Sequence, residues 1–224
     1  MTRSEFETIK NYMHECLSDS SHDSEHVMRV LYIALKLAAK QSNVDYDILI
    51  AACLLHDIGR KAEFRDPNVS HADEGARMAE TFLKGMGWDA KRAKHVNDCV
   101  RTHRFRSGDA PQSTEAKILF DADKLDVSGA LGIARTLLYK GYVGQPLYTV
   151  SKGGICPGED KDSPASFYKE YNFKLKNIES KLYTEEAKNI ARERAAISSM
   201  FFEHLAEEVD SAYAARTMLE DHLK

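Results

Sequence analysis

The chain places a histidine and an aspartate side by side at the end of its most apolar run, His56 and Asp57 in ILIAACLLHDIGR (48–60). An imidazole and a carboxylate are costly to bury in such a setting unless they pair with each other or share a cation. Adjacent helical residues project about 100° apart, and two such side chains can still converge on one ion beside the last turn. The dipeptide alone leaves a structural His–Asp pair as an equal reading. It is not alone. His26 lies in HDSEHVMRV (22–30), near the start of a helical pattern, and Asp121, Asp123 and Asp126 follow an apolar run in ILFDADKLD (118–126). Carboxylates clustered against apolar sequence call for a cation or a cage of hydrogen bonds. Together His26, His56, Asp57 and Asp123 offer two imidazoles and two carboxylates. That set suits manganese, iron, nickel or cobalt better than calcium or a structural zinc.

Two rival metal motifs fail on their own residues. His22 and His26 have HxxxH spacing, but Asp23 stands where a zincin helix needs Glu; His22 reads better as a cap or as a support for a ligand. DADKLD opens like a calcium loop, yet Leu125 holds its fifth position and Gly132 its twelfth, which excludes an EF-hand.

These residues need elements to position them, and helical period dominates the chain. Val27, Val30, Leu31, Ala34, Leu37 and Ala38 recur at helical spacing over 24–40, after Ser24 as a cap. Residues 45–58 predict a helix that is apolar nearly all round, opened by Asp45 or Asp47 and closed by Gly59, hence a central buried one. Further patterns cover 4–17, 71–84, 89–104, 114–125, 127–139 and 164–182. A last amphipathic helix runs from 184 to about 222, with Ala187, Ile190, Ala191, Ile197, Phe201 and Leu205 as its stripe. No run alternates with period two, so the expected fold class is all-α. Seven of the twelve glycines and two of the five prolines fall between Gly129 and Gly158. The segment 141–163 therefore predicts one long irregular stretch, a lid carrying Tyr142, Tyr148 and Lys152 or a plain loop. No linker divides the chain. One domain over 1–224 is expected, with a metal-binding core at about 20–140 and C-terminal helices over 164–224.

Composition sets outer bounds. Of 224 residues 43% are apolar and 29% charged, with 31 basic and 35 acidic residues and a net charge of −4. A core can form without disulfides, and nothing in that balance favours nucleic acid as a partner. The four cysteines form no CxxC pair, which removes thiolate zinc and redox motifs. No signal peptide and no spanning helix are expected, and a cytoplasmic location is the default.

His26, then His56-Asp57, then Asp123 resembles the ordered H…HD…D signature of the HD-domain metal-dependent phosphohydrolases. The likeness extends through HDSEHVMRVLYIALKLA, AACLLHDIGR, HADEGARMAETFLKGMG, EAKILFDADKLDVSGALGIART and the EEAKNIARERAAISSMFFEHLAEE helix, over about residues 20–210. It is to a bacterial subgroup associated with nucleotide hydrolysis. The resemblance implies an HD-type helical bundle and one divalent metal on His26, His56, Asp57 and Asp123. Manganese is its first choice, with magnesium, iron, nickel, cobalt or zinc as others. Asp123 is taken over Asp121 because it matches the second aspartate of D-x-D-K.

Lys124 matches a lysine that follows the last metal aspartate in nucleotide-cleaving relatives, where it would offset phosphate charge; a plain ion pair with Asp121 or Asp126 is the other reading. Arg60 could do similar work or answer a helix dipole. In some relatives histidines in the window of His71 and His103 bind a second metal or protonate the leaving group. These two are not an adjacent pair, so one ion is expected. The implied substrate is a nucleotide or other phosphate-bearing small molecule: a nucleoside triphosphate cleaved to a monophosphate and pyrophosphate. A nucleotidase, a phosphodiesterase and a non-catalytic binding module are the alternatives. RTHRFRSG (101–108), with Arg101, Arg104 and Arg106, reads as a basic lip or a solvated helix end. The last helix serves either the core or a homodimer.

Overall fold

The computed structural model describes residues 1–17, 24–104, 109–151 and 154–223. His22, Phe105, Arg106 and Lys152 lie outside the described residues, and so do the readings that rest on them. The fold is all-α, with one two-stranded ladder of two residues per strand. The chain divides into two compact units. One comprises Met1–Asp126 with Leu182–Ala187, the other Val127–Lys181 with Lys188–Lys224.

The first unit contains α1 (Arg3–Leu17), α2 (Ser24–Ala38), α3 (Tyr46–Leu55), α4 (Arg60–Arg65), α5 (His71–Gly85), α6 (Ala90–Arg101) and α7 (Thr114–Leu125). α3 is the buried centre, with seven of its ten residues inaccessible. Helices α1, α2, α6 and α7 all pack on it. Each Leu or Ile buried there contributes about 1.5–3 kcal/mol relative to exposure. Asp45 caps it, its carboxylate accepting from Asp47 N and Ile48 N. On α2 the six expected positions, Val27 through Ala38, are all buried.

Three boundaries differ from expectation where the site is built. α3 ends at Leu55, so His56 and Asp57 occupy a turn rather than the last helical turn. A short helix, α4, follows at once; its polar run RKAEFR gives no apolar period to read. α6 stops at Arg101, which leaves His103 in the segment beyond it.

The second unit contains α8 (Gly129–Tyr142), the ladder of β1 (Val150–Ser151) and β2 (Gly154–Ile155), α9 (Phe167–Glu170), most of α10 (Glu185–Ala214) and α11 (Arg216–His222). The described residues of the segment 141–163 are more ordered than its composition suggests. Val150 pairs with Ile155, Pro146 O and Leu147 O accept from Phe167 N and Tyr168 N, and Asp210 accepts from Ile155 N at 2.9 Å. The expected single helix over 164–182 is instead α9, a π-helical turn (Tyr171–Leu175) and a 3-10 turn (Glu179–Lys181). The turn sets Tyr171 flat on Phe202, ring centres 3.9 Å apart, beside Phe167. The last helix breaks at Ala215, and its buried line runs through Ala187, Ala191, Phe202 and Val209. Ile197 and Phe201, expected inside, are 45% and 37% exposed.

Candidate metal centre

Every side chain of the site comes from the first unit. His26 projects from the first turn of α2, His56 and Asp57 from the turn after α3, and His71 is the first residue of α5. His103 lies two residues past α6, and Asp123 and Asp126 close α7. Gly59 permits this convergence. A Cβ built on it would lie 2.2 Å from His71 O and 2.6 Å from Gly75 N. Any side chain there would push the start of α5 away from the His56–Asp57 turn.

His26 Nε2 and His56 Nε2 stand 3.3 Å apart. Asp123 Oδ1 lies 3.4 Å from His26 Nε2. Asp57 Oδ2 lies 3.7 Å from His26 Nε2 and 3.6 Å from His56 Nε2. The far side of each ring decides its tautomer. His56 Nδ1 is 2.8 Å from Cys53 O, and His26 Nδ1 is 2.8 Å from Asp126 Oδ2. Both oxygens only accept, so both Nδ1 atoms carry hydrogen and a neutral ring presents a bare Nε2. With both rings neutral, two lone pairs would face each other across 3.3 Å, flanked by two carboxylates. Asp57 Oδ2 is itself buried with no hydrogen-bond partner among the described residues. A buried carboxylate oxygen left so is costly, and a cation is the species that satisfies all four atoms at once. The residues fit a divalent metal.

Asp57 has a second face. His71 Nε2 lies 3.4 Å and His103 Nε2 3.6 Å from Asp57 Oδ1, with the two imidazole nitrogens 3.4 Å apart. His103 Nδ1 donates to Val100 O at 2.6 Å, and His71 Nδ1 meets Glu63 Oε2 at 2.5 Å. The ligand atoms of His26, His56 and Asp123, and those of Asp57, His71 and His103, form two sets, each within 4.8 Å.

The cations line the same site. Arg60 opens α4 and donates from Nε to Asp57 Oδ1 at 3.0 Å. Lys124 Nζ lies 2.7 Å from Asp123 Oδ2 and donates to His103 O at 3.2 Å. A carboxylate it meets is thus Asp123, beside the two that the sequence offered. Asp121 does other work: fully buried, it accepts from Tyr183 N, Thr184 N and Thr184 Oγ1 at 2.7–2.9 Å, holding the chain that enters α10. Arg101 pairs with Asp109.

The electrostatics follow from burial and these neighbours. Burial pushes the His56 imidazole down to about 4 and the His71 imidazole down to about 3. Burial also acts to lower His26, but bonds to Asp123 and Asp126 outweigh it and hold that ring above its ordinary value. Burial would raise Asp57 and Asp123. Arg60 with the neighbouring imidazoles, and Lys124 with His26, reverse this and keep both carboxyls well below the usual carboxylate range.

Three residues of the site were not singled out for it from sequence. Arg29 donates to both oxygens of Asp126 at 2.9 and 3.2 Å. It sits at i+3 from His26 on one helix face, a spacing that sequence alone could have flagged. Asp126 was seen as part of an acidic cluster and as a possible ion-pair partner of Lys124, not as a support for His26. Glu63 lies in the polar run of α4, where no pattern marks it.

Residues 23–128 match the HD domain family. The chain is 28% identical to the uncharacterized protein YpgQ of Bacillus subtilis (strain 168) over 207 residues, 91% of this chain and 93% of that protein. The crystal structure of YpgQ in complex with ADP superposes with a TM-score of 0.71 at 25% identity, covering 92% of this chain and 95% of that one. A predicted HD superfamily hydrolase from an uncultured Thermotogales bacterium gives a TM-score of 0.63 at 28% identity, over 93% of this chain and 99% of that one. Among the described residues, no helix is long and apolar enough to cross a membrane.

Proposed function

We propose that the chain, whose residues 23–128 match the HD domain family, is a metal-dependent hydrolase of the HD superfamily that acts on nucleotides. The favoured reaction cleaves a nucleoside triphosphate between its α and β phosphates. The monophosphate and pyrophosphate are the products. His26, His56, Asp57 and Asp123 would hold the divalent cation, manganese first. The observation that carries this reading is Asp57 Oδ2, buried without a hydrogen-bond partner among the described residues, 3.6–3.7 Å from two imidazole Nε2 atoms. The relative YpgQ with ADP bound supports a nucleotide as the ligand class.

The chemistry supplied by a cation in that set is Lewis acidity, which acidifies a water and polarises a phosphoryl oxygen. The chain's own groups do the rest. Asp126 and the Cys53 carbonyl hold the two imidazoles with Nε2 inward. Lys124 and Arg60, already beside the carboxylates, offset charge that builds on the phosphates. A water oxygen bonds to the α phosphorus and releases a proton to solvent as the bond to the bridging oxygen breaks, and pyrophosphate departs with that electron pair. The same ligands would serve a nucleotidase or a phosphodiesterase.

For His71 and His103 one observation favours cation binding over proton donation. Each ring commits its Nδ1 hydrogen outward, to Glu63 or to Val100 O, and turns a bare Nε2 toward Asp57 Oδ1. A second divalent cation on Asp57, His71 and His103 uses those atoms as they stand. The test of the whole reading is a nucleotide panel with manganese, with and without chelator, and with product analysis. Pyrophosphate and a monophosphate are expected. Tripolyphosphate with a free nucleoside, or no triphosphate turnover with any divalent metal, would overturn it.

A further inference from the structure

We infer that Glu63, braced by Arg104, is the positioning residue for His71. It fixes the ring as its Nδ1–H tautomer and thereby aims a bare Nε2 at Asp57, as Asp126 braced by Arg29 does for His26. The atoms around His71 Nδ1 allow one assignment. Glu63 Oε2 is 2.5 Å away and Arg104 Nη1 is 2.9 Å away. If Nδ1 were bare and accepted from Arg104, its lone pair would confront a carboxylate oxygen at 2.5 Å. With Nδ1 protonated that contact becomes a short charge-assisted hydrogen bond, and Arg104 turns its own hydrogen to Glu63 Oε1 at 3.0 Å. Arg60 Nη1 reaches the same carboxylate at 3.4 Å, so two guanidiniums fix its place and its charge. Bonds to His71 and to Arg104 overcome the effect of burial and hold the Glu63 carboxyl down at about 2.

The two halves of the site thus repeat one construction. In each, one ring leans on a main-chain carbonyl three residues back, His56 on Cys53 O and His103 on Val100 O. The other leans on a carboxylate held by an arginine, His26 on Asp126–Arg29 and His71 on Glu63–Arg104. Such outer contacts orient a ligand and raise its basicity, and losing one typically costs about 10–100-fold in metal affinity.

The tautomer needs no bound cation; the effect on affinity rests on the proposed second cation at Asp57, His71 and His103. The experiment therefore has two readings. The first is nitrogen-15 NMR of the histidine rings in the metal-free protein, with His71 assigned by its loss in His71→Gln. Wild type should show His71 protonated at Nδ1 alone. Glu63→Ala should move it to a mixture or to the Nε2–H form. Glu63→Gln, whose carbonyl oxygen still accepts, should keep the wild-type form and show that an intact fold is not the variable. The second reading is a manganese titration followed by metal analysis. Glu63→Ala should weaken one equivalent by about 10–100-fold and leave the other unchanged. A wild-type protein that binds a single equivalent removes the second cation without touching the tautomer result. An unchanged His71 tautomer in Glu63→Ala overturns the positioning role.

Discussion

On one side of Asp57, His26 and His56 bring their Nε2 atoms to 3.3 Å; on the other, His71 and His103 bring theirs to 3.4 Å. The supports behind the rings match. The charges in front of them do not. The first side adds a second carboxylate, Asp123, 3.4 Å from His26. The second has only the Oδ1 atom of Asp57, and Arg60 already donates to that atom from 3.0 Å. A divalent cation on the first side meets two negative charges, whereas one on the second meets a shared charge and a guanidinium. Opposite charges a few ångströms apart in a poorly screened site interact strongly. Equal geometry with unequal charge therefore means unequal affinity: a tight first position and a weaker, exchangeable second one.

Removing Asp57 breaks both sides together. Asp57→Ala should abolish nucleotide turnover and all bound metal while circular dichroism keeps its helical signal, since the carboxylate is a ligand rather than a packing group. Wild-type turnover in this variant would end the assignment. A finer cut separates the sides. Asp123→Ala should lose the tight equivalent, and His103→Ala only the weak one, as read by metal analysis after dialysis at stepped manganese concentrations. Equal losses in both would contradict the asymmetry.

Lys124 tests what the first side does with charge. Lys124→Ala should leave metal content unchanged and slow triphosphate turnover by about 10²–10³, the usual cost of one preorganised charge-stabilising donor. The loss should be smaller on a monophosphate, whose single phosphate has less reason to reach it.

The smallest effect is a pH dependence of the metal-free protein. The folded chain resists protonation at His56 until about 4 and at His71 until about 3, whereas both titrate near the ordinary 6.5 when unfolded. The unfolded state then binds more protons through that window, so these two rings withdraw stability as pH falls. The depressed Asp57 and Asp123 carboxyls withdraw more as pH falls through their folded values. His26, raised, acts in the opposite sense: its contribution is full below 6.5 and is lost as pH rises through its folded value. The melting temperature should therefore drop on acidification from about pH 7 to pH 4. The extra stability given by manganese should shrink over the same range as protons compete for the imidazoles. A flat profile, or melting that rises toward pH 4, would contradict the depressed His56 and His71 values.

What could be read from sequence was chemistry set against its surroundings. His56, Asp57 and Asp123 stand out because polar groups beside apolar runs demand an explanation, and the all-helical period was plain. The supports were harder. Glu63 and Arg104 sit in polar segments where a charge costs nothing, so only the fold reveals that they meet His71. Asp121 and Asp123 look alike in DADKLD, and resemblance chose between them; the structure shows one carboxylate on main-chain amides and the other among imidazoles. The last helix misled for a physical reason. It is apolar on more than one face, and residue identity alone does not say whether Phe201 or Phe202 turns inward when adjacent positions differ by about 100°. The segment 164–182 has helical composition, yet a π-helical turn interrupts it where Tyr171 stacks on Phe202. Such a turn depends on tertiary packing that a local pattern does not carry.

The most direct test of the central claim is anomalous diffraction at the manganese edge from crystals of the protein grown with manganese. The account predicts a peak enclosed by His26 Nε2, His56 Nε2, Asp57 Oδ2 and Asp123 Oδ1, with any weaker peak on the Asp57 Oδ1, His71 and His103 side. No peak among the first four atoms, with manganese found only on surface carboxylates, would contradict it.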